Sequence, residues 1–278
     1  MTQTLPRVAA LHDVSGYGKC ALTVAIPVLS ACGVEVCPLP TALLSTNTEF
    51  EGFTFLDFTP YMDAYLAHWQ RLGLQFNCVY SGFLGSEEQI RIMMRFMREF
   101  ERGLSVIDPV MGDDGLVIKT YTPAMCKEMA KLVGVADLVT PNITEACLLT
   151  GRPYQGAELD AAESRSLCED IRKLGAKTVV LKGVQRGNKL YNCVLQARDY
   201  FEQEIDLLPY HMHGTGDLFA SVLTGGLLRG YDLRESVQSA AEFVHDAMAA
   251  SYDLEDVFAR GVGFEQIVYK LGSGVYVK

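Results

Sequence analysis

A glycine-rich turn followed by a helical pattern carries the clearest acid–base chemistry in this sequence. The run His213-Gly214-Thr215-Gly216-Asp217 precedes apolar residues at helical spacing, so we expect a helix over 215–228 with an aspartate in its first turn. Glycines at a helix start leave its backbone N–H groups open to an anion. Asp217 would then lie beside a bound phosphate, where it could accept a proton from an attacking hydroxyl. The segment suggests phosphoryl transfer to an alcohol, although a plain helix-start role for Asp217 explains it equally well.

A second glycine-rich loop follows the first apolar run. The pattern Gly-x-Gly-x-x-Ala over 16–21 matches a dinucleotide-binding fingerprint, and Glu35 could be the acid that binds the ribose. The loop does not fit a Walker A motif, because Asp13 and Cys20 stand where that motif needs glycine and serine or threonine. A nicotinamide-dependent oxidoreductase is therefore one alternative, and a simple strand-to-helix turn is another.

Acidic side chains follow two further apolar runs. Asp108 ends a buried run, where an unpaired carboxylate is costly, so a cation or a hydrogen-bond donor should partner it. Glu145 lies in the first turn of a helix expected to begin near Asn142. With Asn142 and water, these acids would suit Mg²⁺, which takes few protein ligands besides phosphate oxygens. Asn142 and Glu145 also fit a capping box, and the two roles are compatible.

Short apolar runs alternate with amphipathic stretches along the chain. We expect strands at 8–11, 34–37, 78–80, 105–107, 138–139 and 178–181, and helices at 20–31, 60–72, 87–102, 123–133, 158–174, 215–228 and 233–251. The alternation predicts an α/β fold with a mostly parallel sheet, extended by one or two antiparallel strands over 189–208. Thr59 and Thr122 precede prolines, as N-cap residues do. No linker or repeat divides the sequence, so we expect a single domain over residues 1–278.

Composition limits the classes of function. The 278 residues are 49% hydrophobic and carry a net charge of -10, which argues against a surface for nucleic acid or anionic membrane. The eight cysteines form no C-x-x-C pair and are expected to be reduced thiols. The N-terminus lacks a signal-peptide pattern, and no run of about 18 apolar residues could span a bilayer. These features predict a soluble cytoplasmic protein.

Six segments, taken in order, resemble the ribokinase-like superfamily, and specifically its branch of pyridoxal, pyridoxamine and pyridoxine kinases. They are Ser15-Gly16-Tyr17-Gly18, Leu44–Thr48, Ser81–Ser86, Asp108–Gly112, Thr140-Pro141-Asn142 with Glu145, and Gly214–Phe219. The resemblance covers almost the whole chain and displaces the dinucleotide interpretation. It implies a three-layer α/β/α sandwich with a mostly parallel central sheet. It also implies an ATP-dependent kinase that phosphorylates the 5′-hydroxymethyl group of a vitamin B6 vitamer.

The resemblance also implies roles for individual residues. Asp217 would be the general base, and Gly214, Thr215 and Gly216 would form the anion hole for the transferred phosphoryl group. The implied magnesium residues are Asp108 and Glu145, the implied ATP contacts are Asp113, Tyr121, Thr140, Asn142, Lys182 and Gly214, and the implied vitamer contacts are Ser15, Ser45, Thr48, Phe83 and Asp217. The implied cofactors are ATP and Mg²⁺, with a requirement for a monovalent cation such as K⁺ left open. The implied assembly is a homodimer.

Two departures from the family pattern fall in the implied vitamer pocket. Phe83 stands where many relatives have tyrosine, and Ser-Thr-Asn-Thr over 45–48 stands where many have Ser-Asn-His-Thr. The preferred vitamer is therefore open. The segments 12–16 and 213–216 also resemble hydroxymethylpyrimidine kinases of thiamine synthesis, although that branch often has cysteine in place of Asp217. A catalytically silent B6-binding protein is a further alternative, against which the complete set of acids argues.

Overall fold

The computed structural model describes residues 5–48, 50–99 and 103–273. The chain divides into two compact units, of which the first comprises Met1–Tyr80 with Leu208–Lys278 and the second Ser81–Leu207. The expected single domain over residues 1–278 stays a prediction. The last three positions of the predicted helix 87–102 lie outside the described residues.

The helices and strands alternate along much of the chain. The strands of the described residues are β1 (Arg7–Ser15), β2 (Glu35–Leu44), β3 (Phe55–Asp57), β4 (Cys78–Ser81), β5 (Leu104–Ile107), β6 (Gly112–Asp113), β7 (Leu116–Val117), β8 (Leu138–Val139), β9 (Thr178–Arg186), β10 (Lys189–Gln196) and β11 (Asp199–Asp206). The α-helices are α1 (Leu22–Ala31), α2 (Thr59–Arg71), α3 (Glu87–Glu99), α4 (Pro123–Val133), α5 (Ile143–Thr150), α6 (Ala161–Lys173), α7 (Thr215–Leu228), α8 (Leu233–Ser251), α9 (Val257–Arg260) and α10 (Tyr269–Gly272). A 3₁₀ turn spans Phe264–Gln266.

The first unit is built on a sheet with the strand order β4-β1-β2-β3. Strands β1 and β2 are parallel, and β3 is antiparallel to β2. The run Val8–Leu11 in β1 is fully buried, as expected for a strand that is covered on both faces. Helix α1 packs on β1, β2 and α7. Gly225 allows α7 to approach closely, because a Cβ there would lie 2.7 Å from Cys32 Sγ.

The second unit holds parallel strands that continue into an antiparallel meander. Its strand order is β11-β10-β9-β8-β5, with β5, β8 and β9 parallel and β10 antiparallel to both of its neighbours. The antiparallel strands predicted over 189–208 are therefore confirmed as β10 and β11. Because the carboxyl ends of parallel strands lie at one edge of a sheet, the residues that follow β5 and β8 come close to those late in β9.

The architecture confirms the predicted fold class, an α/β fold with a mostly parallel sheet flanked by helices. All eight cysteines are free, as expected for reduced thiols. Among the residues that the structure describes, no helix is both long enough and apolar enough to cross a bilayer.

Helix starts account for most differences from the sequence prediction. The helix expected from residue 20 begins at Leu22, and the one expected from residue 158 begins after Asp160, which caps it. Thr122 is confirmed as an N-cap, because its side chain accepts a hydrogen bond from the Met125 N–H at 3.2 Å. Thr59 as an N-cap is wrong. It is the first residue of α2, and its own N–H donates to Asp57 at 2.9 Å.

Three short strands had no detectable pattern in the sequence. Strand β3 has three residues, all exposed, and β6 and β7 have two residues each. A period-two burial pattern needs more residues than these strands contain, so their pairing depends on contacts that the local sequence does not encode.

Candidate active site

The start of α7 in the first unit has the geometry of an anion-binding helix end. Gly214 is the N-cap with a φ of 79°, and no side chain caps the helix. A Cβ on Gly214 would lie 2.1 Å from the Lys19 carbonyl oxygen, so only glycine fits. The first-turn N–H groups of a helix have no partner within the helix, so the amides of Thr215 and Gly216 remain available to an anion.

Asp217 lies in this first turn of α7, as the spacing predicted. Its side chain is half-buried. The Leu218 N–H donates to the Gly214 carbonyl at 2.9 Å, which begins the regular helix directly at the glycine turn. A carboxylate is therefore held in the same turn as the uncapped amides.

Two more polar side chains of the first unit come from the last residues of β1. The Ser15 hydroxyl donates to Asp13 Oδ2 at 3.3 Å, and both residues are buried. The thiol of Cys20 is close to both aspartates: burial raises its pKa, and the negative charges of Asp13 and Asp217 raise it further. Ser15 and Asp217, two of the residues singled out in the sequence, therefore both lie in the surroundings of the Cys20 thiol.

The segment that follows β2 is tied to the loop after β1. The Gly16 and Tyr17 N–H groups donate to the carbonyls of Leu44 and Ser45, at 2.8 and 3.0 Å. The Ser45 hydroxyl accepts a hydrogen bond from the Thr54 N–H at 2.9 Å, so it is used within its own loop. Both Ser45 and Thr48 are exposed. The structure therefore places their backbone beside the β1 loop but gives their side chains no buried position.

Residues 259–262 connect both loops to the start of α7. The buried Asn47 donates through Nδ2 to the Ala259 carbonyl at 3.0 Å. The Lys19 N–H donates to the Arg260 carbonyl at 2.6 Å, and the Val262 N–H donates to the His213 carbonyl at 3.0 Å. A cavity of about 290 Å³ adjoins this segment, lined by Lys19, Leu254, Glu255, Val257, Arg260 and Gly261. The glycine turn of α7 is therefore held by backbone contacts on several sides.

A polar cluster in the second unit joins the ends of its parallel strands. The Lys182 ammonium lies 2.8 Å from Asp108 Oδ1, and the Thr140 hydroxyl donates to the same oxygen at 2.9 Å. Asp108 is only 2% exposed. We expected a cation or a hydrogen-bond donor beside this buried carboxylate. The structure has both, the Lys182 ammonium and the Thr140 hydroxyl.

Glu145 completes this cluster from the first turn of α5. Its carboxylate accepts hydrogen bonds from the N–H groups of Asn142, at 2.8 Å, and Met111, at 3.3 Å. The Asn142 side chain accepts from the Glu145 N–H, so the predicted capping box is present. Burial raises the pKa of Glu145 well above its usual value, the Asp108 charge adds to this, and Lys182 opposes it.

Asn142 also reaches the small hairpin that β6 and β7 form. Its Nδ2 donates to the Gly112 carbonyl at 2.9 Å and to Asp113 Oδ1 at 3.2 Å. The Gly115 N–H donates to the Thr144 hydroxyl at 2.8 Å. The family resemblance implied a set of second-unit residues that contact Mg²⁺ and nucleotide. All of them except Tyr121 form one connected group.

Tyr121 lies apart from this group, against Phe83, with ring centroids 6.1 Å apart. Its hydroxyl is buried without a hydrogen-bond partner among the described residues. Burial raises the pKa of this phenol, which therefore stays protonated as a donor. An unsatisfied buried donor is costly unless a ligand completes it.

Sequence reasoning missed Asp13 and Asn47 as contributors to the first-unit cluster. Asp13 entered only as a mismatch to a Walker A loop, and Asn47 only as a departure from a family motif. Their partners, Ser15 for Asp13 and the Ala259 carbonyl for Asn47, were not predictable from spacing. The one available signal for Asp13 was an acid two residues after the apolar run Val8–Leu11.

Comparison with known proteins identifies the family to which this chain belongs. The sequence matches the model of the phosphomethylpyrimidine kinase family over residues 26–260. A pyridoxine/pyridoxal/pyridoxamine kinase of Bordetella avium is 30% identical over 259 residues, covering 88% of this chain and 85% of that protein. A hydroxymethylpyrimidine/phosphomethylpyrimidine kinase of Rhizobium meliloti is 30% identical over 261 residues, covering 88% and 91% of the two chains.

A solved structure extends the match to three dimensions. A Bacteroides thetaiotaomicron protein, described as a phosphomethylpyrimidine kinase and crystallised with pyridoxal, has a TM-score of 0.92, 36% identity and 96% coverage of each chain. These matches are to kinases, not to nicotinamide-dependent oxidoreductases, and they confirm the resemblance to ribokinase-like vitamin kinases. The chain belongs to the phosphomethylpyrimidine kinase family and is a phosphotransferase that acts on an alcohol group.

Proposed function

We propose that this protein is an ATP-dependent kinase that phosphorylates the 5′-hydroxymethyl group of a vitamin B6 vitamer. The observation that carries the proposal is the start of α7, where uncapped amides and the Asp217 carboxylate occupy one helical turn. Phosphoryl transfer to an alcohol needs a base for the hydroxyl proton and fixed donors for the phosphoryl oxygens. The pyridoxal bound by the Bacteroides thetaiotaomicron relative supports a vitamer as the acceptor.

In this proposal Asp217 accepts the proton of the substrate hydroxyl as its oxygen attacks the γ-phosphorus of ATP. The amides that follow Gly214 stabilise the negative charge on the transferred group. The bond from the γ-phosphorus to the bridging oxygen breaks, and ADP leaves with that electron pair. Ser15 contacts the vitamer ring, and Phe83 packs against it in place of the tyrosine of many relatives.

The second-unit cluster supplies the nucleotide side of the proposal. Lys182, Thr140, Asn142 and Asp113 contact the phosphates of ATP, and Tyr121 offers its hydroxyl, which has no hydrogen-bond partner among the described residues. Asp108 and Glu145 fit Mg²⁺, because two buried carboxylates share a single ammonium. When bound, Mg²⁺ would neutralise charge on the phosphate oxygens. Within the described residues no group of three or more histidine, cysteine, aspartate or glutamate side chains could hold a metal ion, so in this proposal phosphate and water oxygens complete the coordination of Mg²⁺.

Hydroxymethylpyrimidine kinase is the second candidate, because the matched family model and the Rhizobium meliloti relative both bear pyrimidine names. Both acceptors carry a hydroxymethyl group on a nitrogen heterocycle, so the Asp217 chemistry serves either one. The two candidates differ in the ring that the pocket accepts.

A side-by-side assay separates these functions. Purified protein with Mg-ATP receives pyridoxal, pyridoxamine, pyridoxine or hydroxymethylpyrimidine, and each phosphorylated product is identified by mass. We expect turnover of a B6 vitamer with the pyrimidine much slower. Preference for the pyrimidine would replace the vitamer proposal with its alternative. No product from any acceptor would contradict both and favour a non-catalytic binding protein.

A further inference from the structure

Asp13 is a buried carboxylate without a cationic partner in the first-unit cluster. Its side chain is 7% exposed, and within the described residues its carboxylate accepts hydrogen bonds from the Ser15 hydroxyl, at 3.3 Å, and from its own backbone N–H. No lysine, arginine or histidine within the described residues pairs with it. A buried charge normally has an ion-pair partner, a metal or several donors.

The basic side chains on neighbouring segments are turned to other groups. The Lys19 ammonium forms an ion pair with Glu265 and lies 5.7 Å from the centre of the Phe264 ring. The Arg260 guanidinium stacks 5.4 Å from the centre of the Tyr17 ring. Neither cation is therefore available to neutralise Asp13, and the described residues provide no other cationic partner for its charge.

The position of Asp13 indicates which kind of partner this is. Asp13 lies two residues before the end of β1 and contacts Ser15, the last residue of that strand. The Cys20 thiol is a neighbour of both Asp13 and Asp217. Ligands of parallel α/β sheets bind at the carboxyl ends of the strands. In the proposed function Ser15 contacts the ring and Asp217 the reacting hydroxyl, so Asp13, the hydrogen-bond partner of Ser15, would lie beside another ring substituent.

The three vitamers differ at one ring substituent, which is an aldehyde, a hydroxymethyl or an aminomethyl group. Only the aminomethyl group is a cation at neutral pH. We propose that Asp13 is a specificity-determining residue whose carboxylate binds this ammonium group, so that the enzyme prefers the amine-bearing vitamer, pyridoxamine. The inference rests on the proposed vitamer kinase function. Burial raises the pKa of Asp13 to about 6, which still leaves the carboxylate ionised at pH 7.5.

The test compares pyridoxamine with pyridoxine, which replaces the ammonium by a hydroxyl of similar size. A charge-assisted hydrogen bond is typically worth about 10- to 100-fold in an equilibrium or rate ratio. We expect the wild-type kcat/KM for pyridoxamine to exceed that for pyridoxine by this factor at pH 7.5. In Asp13→Asn, which keeps the shape but removes the charge, the ratio of the two kcat/KM values should fall to near one, because the loss for pyridoxamine exceeds any loss for pyridoxine.

Asp63→Asn is the matched control, since it removes the same charge from an exposed position of the first unit. It should leave the ratio unchanged. Equal wild-type kcat/KM values for pyridoxamine and pyridoxine would overturn this inference but leave the proposed kinase function standing. So would an Asp13→Asn variant that slows both vitamers equally, because Asp13 would then serve the shared ring or the fold.

Binding measurements keep the inference testable if Asp13→Asn does not fold. Calorimetric titration of the wild-type protein with pyridoxamine and with pyridoxine, without ATP, should give the same preference. If the folded protein neither binds nor phosphorylates any vitamer, the proposed function fails and the inference fails with it. If the protein phosphorylates the vitamers but does not prefer pyridoxamine, only the proposed role of Asp13 is contradicted.

Discussion

The ammonium of Lys182 lies 2.8 Å from the carboxylate of Asp108, and both side chains are almost withdrawn from solvent, at 12% and 2% exposure. Lys182 also offsets the negative charge of Glu145, whose pKa it lowers against the effect of burial. One ammonium thus serves two buried carboxylates. The second-unit cluster is therefore sensitive to the loss of this cation before any ligand is considered.

Lys182→Met should destabilise the protein strongly. Removing one member of a buried ion pair leaves an uncompensated charge and costs about 3–5 kcal/mol in the free energy of unfolding. Urea titration measures this change. Lys177→Met is the matched control, because Lys177 pairs with Asp137 at the surface with 74% of its side chain exposed, and its loss should scarcely move the midpoint. Equal effects of the two substitutions would contradict a special role for Lys182.

Asp217→Asn should lower kcat by about 10²- to 10⁴-fold with a modest change in KM, because the amide cannot accept the substrate proton. Steady-state kinetics with the preferred acceptor measure both constants. The substitution preserves shape at a half-buried position, so the thermal midpoint should be close to that of the wild type. A variant with near-normal kcat would exclude Asp217 as the base.

Gly214→Ala should disable the turn at the start of α7. Two costs add at this position, the positive φ of 79° and the 2.1 Å approach of a Cβ to the Lys19 carbonyl oxygen. Gly230→Ala separates them, because Gly230 has a φ of 89° and nothing within 4 Å of its Cβ position. We expect Gly230→Ala to cost roughly 1 kcal/mol with activity retained. Gly214→Ala should lower kcat/KM by on the order of 100-fold, as expected when oxyanion donors are displaced. Equal activity in the two variants would count against the steric argument.

His12 should make the protein less stable as the pH falls. Both ring nitrogens are buried without a hydrogen-bond partner among the described residues, and burial lowers the pKa to about 3 from 6.5. The unfolded chain therefore binds more protons than the native state between these values, and stability declines as the pH drops through that window. His12→Phe keeps an aromatic ring against Tyr80, which His12 contacts at a centroid distance of 4.3 Å.

The expected result is a stability difference between His12→Phe and wild type that grows by up to about 1.4 kcal/mol per pH unit below pH 6.5. Urea titrations at pH 7.5, 5.5 and 4.5 measure it. Asp13 acts with the opposite sign: its native pKa of about 6 exceeds the usual 3.8, so the native state gains protons, and stability, as the pH falls through that range. Asp13 is present in both proteins, so its contribution cancels when the unfolding free energies of His12→Phe and wild type are subtracted. A difference that does not change with pH would show that His12 does not titrate on unfolding.

The parts of the candidate site that local sequence encodes were predictable. Asn142 and Glu145 are three residues apart, so their capping box follows from spacing alone. Gly214 and Asp217 likewise lie in one turn. The partner of Asp108 was predictable only as a type, because Lys182 reaches it through the alignment of separate strands. Asn47 and Ala259 meet through tertiary folding, and no periodicity in the sequence connects them. The role of Asp13 depends on which cations are absent around it, which only the folded arrangement reveals.

The discontinuity of the first unit has a consequence for how the chain is made. The second unit is one uninterrupted stretch, Ser81–Leu207, whereas the first combines Met1–Tyr80 with Leu208–Lys278. Domains that are contiguous in sequence can fold during synthesis as soon as they leave the ribosome. The hydrogen bond from the Lys19 N–H to the Arg260 carbonyl, in contrast, joins a loop made before the second unit to a segment made after it. The turn around Gly214 can therefore reach its final structure only after residue 260 has been synthesised, so the proposed base and the proposed phosphoryl-binding amides take their places later than the second unit.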